Sequence, residues 1–229
     1  MKNIKKYLVI SIIFLAIGVV GLIANSMIFN GLSQGKGYAT SRGYVFEPED
    51  MMNMMRSNGS QESDLKSYTF DEVKIASEKY LSDLGLKDIK IKEIMEFSNN
   101  FYIETVEQST GIGAIELLLD KTDGRIFPEF GPNMMWSLKY GMHGQSILDK
   151  NNTNMKISEE DAISIANNYL TKISQNEVAK NEAQQFYAYY TLDTVNKDGI
   201  GVGMLSVNGF TGQVWYHKWH GTFIEMKEY

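Results

Sequence analysis

The sequence predicts an α+β fold: an N-terminal transmembrane helix followed by two units, each made of one helix packed on an antiparallel sheet. Three observations support this prediction. The chain opens with an uncharged apolar run, a later segment repeats an earlier one at an offset of 88 residues, and each copy places a helical pattern before strand patterns. A self-match at a constant offset is typical of one supersecondary unit used twice.

The composition limits the functions that this chain can have. It carries 28 acidic and 22 basic residues among 229, for a net charge of −6. Because nucleic-acid phosphates are bound by clustered Lys and Arg, this acidic balance predicts no nucleic-acid partner. Cysteine is absent, which excludes disulfides, a thiolate nucleophile and cysteine-ligated zinc.

The first 30 residues predict a membrane anchor. Lys2, Lys5 and Lys6 precede an uncharged apolar run at residues 7–29. As a helix this run would extend about 35 Å, enough to cross a hydrocarbon core of about 30 Å. The lysines should stay cytoplasmic, so we expect a single-pass cell-membrane protein with its C-terminal body outside the cytoplasm. Alternatively, residues 1–30 contain a signal segment that is removed by cleavage near residues 24–26, which have the small-x-small pattern of a signal-peptidase site.

Residues 31–67 are predicted to be a flexible linker because Gly and Ser recur through them. Within this linker, Pro48 is followed by two acidic residues and then by four methionines in residues 51–55. Proline at the first position, followed by acidic residues, favours the start of a helix. We therefore expect a short methionine-rich helix inside the linker.

The first module is predicted at residues 68–150 and begins with a helix. Thr69 and Glu72 have the spacing of a capping box, and apolar residues then recur every three or four positions up to Leu84. Gly85 follows as a helix-ending signal. Three or four strand patterns come next, and the Asp-Gly pair at 123–124 predicts a hairpin turn between the last two.

The second module, predicted at residues 151–229, repeats this plan. Ser158 and Asp161 stand 89 residues after the first capping pair, and the apolar stripe of the helix is reproduced after them. A strand pattern begins at Phe186, and a second hairpin pattern covers residues 199–215. Since units of about 60 residues bury little surface alone, we expect the two modules to pack on each other.

A helix with a Tyr-Leu pair at 80–81, followed by a sheet that closes on Asp-Gly-Arg-Ile-Phe at 123–127, resembles the PepSY family. That family is named for peptidase propeptides and the spore protein YpeB, and the resemblance covers residues 69–130 and 157–222. It implies a non-catalytic module outside the cytoplasm, often membrane-tethered and often connected with the control of peptidases. No His-Glu-x-x-His motif is present, so regulation in trans is the analogy that remains.

The chain has three histidines, His143, His217 and His220, and they allow two interpretations. Together they could ligate zinc or copper. Alternatively, the last two are surface residues among the aromatic side chains that cover the sheet. An i, i+3 pair on an extended strand points to opposite faces, so the spacing favours surface histidines.

Methionine groups indicate an alternative function, a soft-metal-binding envelope protein with copper as its cofactor. Thioether sulfur suits Cu(I) and binds it without losing a proton. Methionine is also a flexible core filler and is common at adaptable binding surfaces, so packing or partner contact competes with this interpretation. The candidate ligands are Met51, Met52, Met54, Met55, Met134, Met135, Met142 and His143.

No motif predicts an enzyme. The nucleophile elbow, the P-loop and the dinucleotide fingerprint are all missing from the sequence. Glutamates alternate with other residues along the first strands, and we expect most of them on a solvated face of the sheet. These positions are Glu93, Glu96, Glu104, Glu107 and Glu116.

The sequence therefore predicts a non-enzymatic PepSY-like module, tethered to the membrane through residues 7–29 and displayed outside the cytoplasm. We expect it to bind or regulate a protein of the cell envelope, with a peptidase as one candidate partner, by strand addition or through an apolar groove. No catalytic residue and no cofactor are predicted in this main interpretation.

Overall fold

A computed structural model describes residues 39–40, 43–44, 66–141, 154–174 and 176–229. The strands form two five-stranded antiparallel sheets and one separate pair of short strands. In chain order the elements are β1 (Ala39–Thr40), β2 (Gly43–Tyr44), α1 (Phe70–Asp83), β3 (Ile89–Phe97), β4 (Asn100–Glu107), β5 (Gly113–Asp120), β6 (Ile126–Pro128), α2 (Pro132–Met135), α3 (Glu159–Ile173), β7 (Glu177–Ala179), β8 (Gln184–Gln185), β9 (Tyr189–Asn196), β10 (Gly201–Asn208), β11 (Val214–Tyr216) and β12 (Phe223–Glu228).

The first sheet has the strand order β12-β3-β4-β5-β6, and the second has the order β11-β10-β9-β7, with β8 also paired to β9. The last strand of the chain, β12, therefore does not join the strands that precede it. It pairs antiparallel with β3 and forms an edge of the first sheet. The first sheet is consequently built from two separate stretches of the sequence, whereas the second sheet is built from consecutive strands.

The predicted helix starts are confirmed. The Thr69 hydroxyl accepts a hydrogen bond from the Glu72 N–H at 3.3 Å, and the Glu72 carboxylate accepts one from the Thr69 N–H at 2.8 Å. The Ser158 hydroxyl accepts from the Asp161 N–H at 3.1 Å in the same way at the start of α3. Gly85, which follows the C-cap residue Leu84 of α1, takes a φ of 73°, a left-handed conformation that favours glycine.

The helices cover the outer faces of the sheets. Val73, Ala76 and Leu81 of α1 belong to an apolar cluster with residues of the first sheet. The buried face of α3 packs in the same way on the second sheet. A third cluster joins Tyr102 of the first sheet to Met204 of the second, so the inner faces of the two sheets meet.

The predicted fold class is wrong. All eight positions of β4 and all eight of β5 are buried, so both faces of the first sheet are covered. One helix can cover only one face, and the second sheet covers the other. The body of the protein is thus two packed sheets, with helices as a minor part, in place of two units of one helix on one sheet. The prediction failed because the pattern along a strand does not show what covers the second face of an antiparallel sheet.

No helix in the described ranges is long and apolar enough to cross a membrane. The predicted anchor at residues 7–29 lies outside those ranges, and so does the methionine-rich segment at 51–55. The anchor, the linker and the division of the chain at residues 30, 67 and 150 therefore stay predictions.

Glu107, at the end of β4, is a buried point of contact between distant parts of the chain. Its Oε1 accepts hydrogen bonds from Lys139 Nζ and the Tyr140 hydroxyl, each at 2.6 Å. Its Oε2 accepts from the hydroxyls of Tyr187 and Thr110, each at 2.8 Å. Burial raises the pKa of Glu107, but these hydrogen bonds outweigh it and lower the pKa to about 2.

Because the pKa of Glu107 is lower in the folded than in the unfolded protein, its contribution to stability is complete above about pH 4.5. It is lost as the pH falls from there towards 2. We expect Glu107→Gln to reduce the free energy of unfolding by about 2 kcal/mol at pH 7, because bonds to a charged acceptor are replaced by weaker ones. The difference between the two proteins should shrink steadily below pH 4.5.

Urea unfolding of both proteins at pH 7, 4 and 2.5 measures this difference. Glu225→Gln on the exposed side of β12 is the matched control and should leave stability unchanged at each pH. A Glu107→Gln deficit that stays constant down to pH 2.5 would contradict the assignment.

Candidate functional site

A polar cluster is buried between the two sheets, at the positions where their last hairpins end. Glu129 directly follows β6, and His217 directly follows β11. The two residues are 88 positions apart, which is the offset of the sequence repeat. Equivalent positions of the two copies thus face each other, and His220 joins them from the segment that follows β11.

Three side chains surround one oxygen, Oε1 of Glu129. Glu129 Oε1 lies 3.3 Å from His217 Nδ1 and 3.0 Å from His220 Nε2. Trp219 Nε1 donates a hydrogen bond to the same oxygen at 3.0 Å. The Glu129 and His217 side chains have no exposed surface, and the His220 side chain is 1% exposed.

Aromatic stacking holds both imidazoles in place. The His217 ring stacks on Trp219 with centroids 4.9 Å apart, and the His220 ring stacks on Phe97 at 4.6 Å. The interpretation of these histidines as surface residues is therefore wrong. It placed them on an extended strand, but β11 ends at Tyr216 and the chain then turns, so an i, i+3 pair can point to one place.

A chain of hydroxyl groups determines which nitrogen of His217 carries its proton. The Thr191 hydroxyl donates to Glu116 Oε1 at 2.8 Å, so its oxygen accepts from Ser206 at 3.0 Å. The Ser206 hydroxyl has only one proton, and its oxygen therefore accepts from His217 Nε2 at 3.0 Å. The proton of a neutral His217 thus resides on Nε2, and its Nδ1 faces Glu129 with a lone pair.

The same reasoning applies to His220. Its Nδ1 lies 2.9 Å from Asn100 Oδ1, and an amide oxygen can only accept, so Nδ1 is the donor. A neutral His220 therefore turns the lone pair of Nε2 towards Glu129. Glu129 Oε2, His217 Nδ1 and His220 Nε2 are all buried and have no hydrogen-bond partner among the described residues. Each such acceptor costs about 1–3 kcal/mol.

The electrostatics of the cluster favour a positive charge at its centre. Burial raises the pKa of Glu129, but the two histidines outweigh it and lower the pKa to about 2, so the carboxylate is ionised. Burial lowers the pKa of His217, but Glu129 outweighs burial and raises that pKa above its usual value. For His220 the effect of burial exceeds that of Glu129, so the pKa of His220 is lowered.

A row of glutamates crosses the first sheet beside this cluster. Glu93 pairs with Glu104 across β3 and β4, and Glu104 pairs with Glu116 across β4 and β5. The prediction that these residues lie on a solvated face is wrong, because the second sheet covers that face and all three are buried. Burial, together with the neighbouring carboxylate, raises the pKa of Glu93 to about 8.

The predicted copper ligands are only partly described. Met134 is buried in α2, whereas Met135, its neighbour, is 56% exposed, so the two side chains do not share an environment. The other six ligands lie outside the described residues, and the copper site stays a prediction. The residue that sequence reasoning missed is Glu129. The available signal was its match to His217 at the repeat offset.

No protein-family model matches the sequence, and no curated protein is significantly similar to it. One solved structure, the C-terminal domain of YpeB from Bacillus megaterium, is 13% identical to this chain with a TM-score of 0.24. The similarity covers 65% of this chain and 62% of that one, so the chain spans less than two thirds of the domain that it matches. The PepSY relationship accordingly stays a prediction from the sequence.

Proposed function

We propose that this protein is a non-enzymatic, membrane-tethered module outside the cytoplasm that binds and regulates an envelope protein, with an envelope peptidase as the first partner class to test. One observation carries the non-enzymatic part. The groups best suited to acid–base chemistry, Glu116, Glu129 and His217, are at most 3% exposed between the sheets. Because a catalytic group must contact its substrate, this burial supports a function performed by the outer surface.

The edge strand β12 supports strand addition as the mode of binding. It pairs with β3 on one side, and no described strand pairs with its other side. The Tyr229 N–H donates to the Lys92 carbonyl at 2.8 Å, so the alternate residue Glu228 directs its N–H away from β3. Such outward groups can hydrogen-bond an extended segment of another protein.

Two sequence features support the remaining parts of the proposal. The uncharged run at residues 7–29 supports the tether. The PepSY resemblance in residues 69–130 and 157–222 supports a regulatory role and a peptidase as the partner class. The charged residues of β12 would select among partners, because like charges on an added strand are repelled.

Cross-linking in intact membranes, followed by purification of the full chain and mass spectrometry, tests this proposal. Glu228→Pro removes the outward N–H, and proline is tolerated at an edge where that group faces solvent. We expect this variant to recover about tenfold less partner than the wild type, because strand addition depends on main-chain bonds. Glu228→Ala, which keeps the N–H, should recover the wild-type amount.

Equal recovery by the proline and alanine variants would exclude strand addition at β12. If the wild-type chain recovers no reproducible partner, the binding function itself is wrong. Circular dichroism of the purified variants controls for loss of the fold.

A further inference from the structure

We propose that Glu129, His217 and His220 form a binding site for one divalent transition-metal ion, with zinc as the ion that these residues match. This inference goes beyond the proposed function, because it concerns the interior of the protein and not its outer surface. It also differs from the copper interpretation of the sequence, which uses methionine sulfur and His143.

The donor atoms select the class of metal. Two imidazole nitrogens and one carboxylate oxygen are ligands that Zn²⁺ commonly takes. Calcium and magnesium prefer oxygen alone, and Cu(I) prefers sulfur. The set at Glu129, His217 and His220 therefore favours a divalent ion such as zinc over these alternatives.

The two distances from the histidine nitrogens to Glu129 Oε1 are close to those of tetrahedral coordination. Zinc–ligand bonds of about 2.0–2.2 Å place neighbouring ligand atoms of a tetrahedron roughly 3.3–3.5 Å apart. Glu129 Oε1 lies 3.3 Å from His217 Nδ1 and 3.0 Å from His220 Nε2. The three ligand atoms all lie within 4.8 Å of one another, so small side-chain adjustments bring them to one ion.

The groups around the ligands hold them in the protonation state that a metal requires. Metal-binding histidines usually donate their second ring N–H to an oxygen, which turns the other nitrogen towards the ion. His217 does so to Ser206, and His220 does so to Asn100. Both lone pairs then face Glu129, and both belong to buried nitrogens with no hydrogen-bond partner in the described ranges.

A shared proton accounts for this arrangement less well than a metal ion. A proton on His217 Nδ1 would have to point at the Glu129 carboxylate, but 3.3 Å to Oε1 is longer than the roughly 2.7–2.9 Å of a charge-assisted hydrogen bond. His220 Nε2 lies 3.0 Å from the same oxygen, but the one proton of a neutral His220 is held on Nδ1 by Asn100. One cation beside Glu129 Oε1 would give the lone pairs of both nitrogens a partner.

The site would be a structural metal site that links the two sheets. Glu129 follows a strand of the first sheet, and His217 follows a strand of the second, so a bound ion joins the two sheets. Because the ligands are buried, the ion must enter during folding or through a local opening. Its binding free energy would then add to the stability of the folded state.

Zinc titration of the full chain in detergent, after treatment with a chelator, tests the site. A competing chromophoric chelator reports the affinity, and we expect one zinc ion per chain together with a raised melting temperature. Glu129→Gln and His217→Gln should weaken zinc binding by at least about 100-fold, since each removes a direct ligand. His143→Gln is the matched control and should bind zinc as the wild type does.

Cobalt(II) substitution of the wild-type chain decides the case even if the ligand variants fail to fold. A tetrahedral nitrogen–oxygen site gives Co²⁺ a visible absorption that zinc abolishes on displacement. Absence of this absorption would overturn the proposal, and so would wild-type zinc affinity in a folded His217→Gln variant. Loss of zinc binding in His143→Gln would also overturn it, because the metal would then lie elsewhere.

Discussion

Replacing Glu116 by alanine should lower the free energy of unfolding by about 3–5 kcal/mol, one of the largest effects expected for a single substitution in this protein. The Glu116 carboxylate is fully buried and accepts three hydrogen bonds of 2.8 Å. Two of the donors, Tyr189 and Thr191, belong to the second sheet. Without the carboxylate, the donor hydroxyls are left in the interior without an acceptor.

Urea denaturation followed by circular dichroism measures the effect of Glu116→Ala. Glu116→Gln, which keeps the shape and one acceptor oxygen, should lose only about 1–2 kcal/mol. Glu225→Ala removes an exposed glutamate of the same sheet and should change stability by less than about 0.5 kcal/mol. A Glu116→Ala protein within 1 kcal/mol of the wild type would show that the carboxylate does not hold the two sheets together.

Phe186→Ala should also lower the free energy of unfolding by about 3–5 kcal/mol, because it removes a large, fully buried ring from between the sheets. The ring stacks on Tyr189 with centroids 4.7 Å apart. On its other side lies Gly113, where an added Cβ would approach the ring to 2.5 Å. The close approach of the two sheets at this point therefore depends on a large residue facing a glycine.

A double-mutant cycle tests this pairing. Gly113→Ala alone should cost about 1–3 kcal/mol because the methyl group overpacks the site. In the Phe186→Ala background the same methyl group enters the space that the ring has left, so the double variant should be more stable than the sum of the two losses predicts. Strict additivity would contradict the pairing, and Ile200→Ala at an exposed position serves as the neutral control.

Local features of this protein could be predicted from its sequence because they depend on neighbouring residues. The Thr69 and Ser158 caps need only a backbone N–H three positions away, and they occur as predicted. Gly124 has a φ of 79°, as the Asp-Gly turn signal requires, and Gly212, within the second hairpin pattern, has a φ of 72°. These features depend only on interactions between residues close in sequence, so no distant part of the chain alters them.

The burial of the glutamates and histidines could not be predicted in this way. Alternation along a strand shows that two faces differ, but it does not show what covers either face. Glu104 and Glu116 point to a face that only the second sheet covers, and the polar partners of Glu116 in that sheet are more than 70 residues away in sequence. His217 and His220 meet on Glu129 because the chain leaves its strand at Tyr216.

By itself the sequence determined where helices begin, where hairpins turn and which positions of the two copies correspond, since all of these depend on local backbone chemistry or on the repeat. Only the tertiary structure decided that β12 joins the first sheet, that the inner faces of the sheets meet and that Glu129 faces His217. The physical reason is that burial is a relation between distant segments. A carboxylate acquires its protonation state, its partners and its chemistry only when another part of the chain excludes water from it.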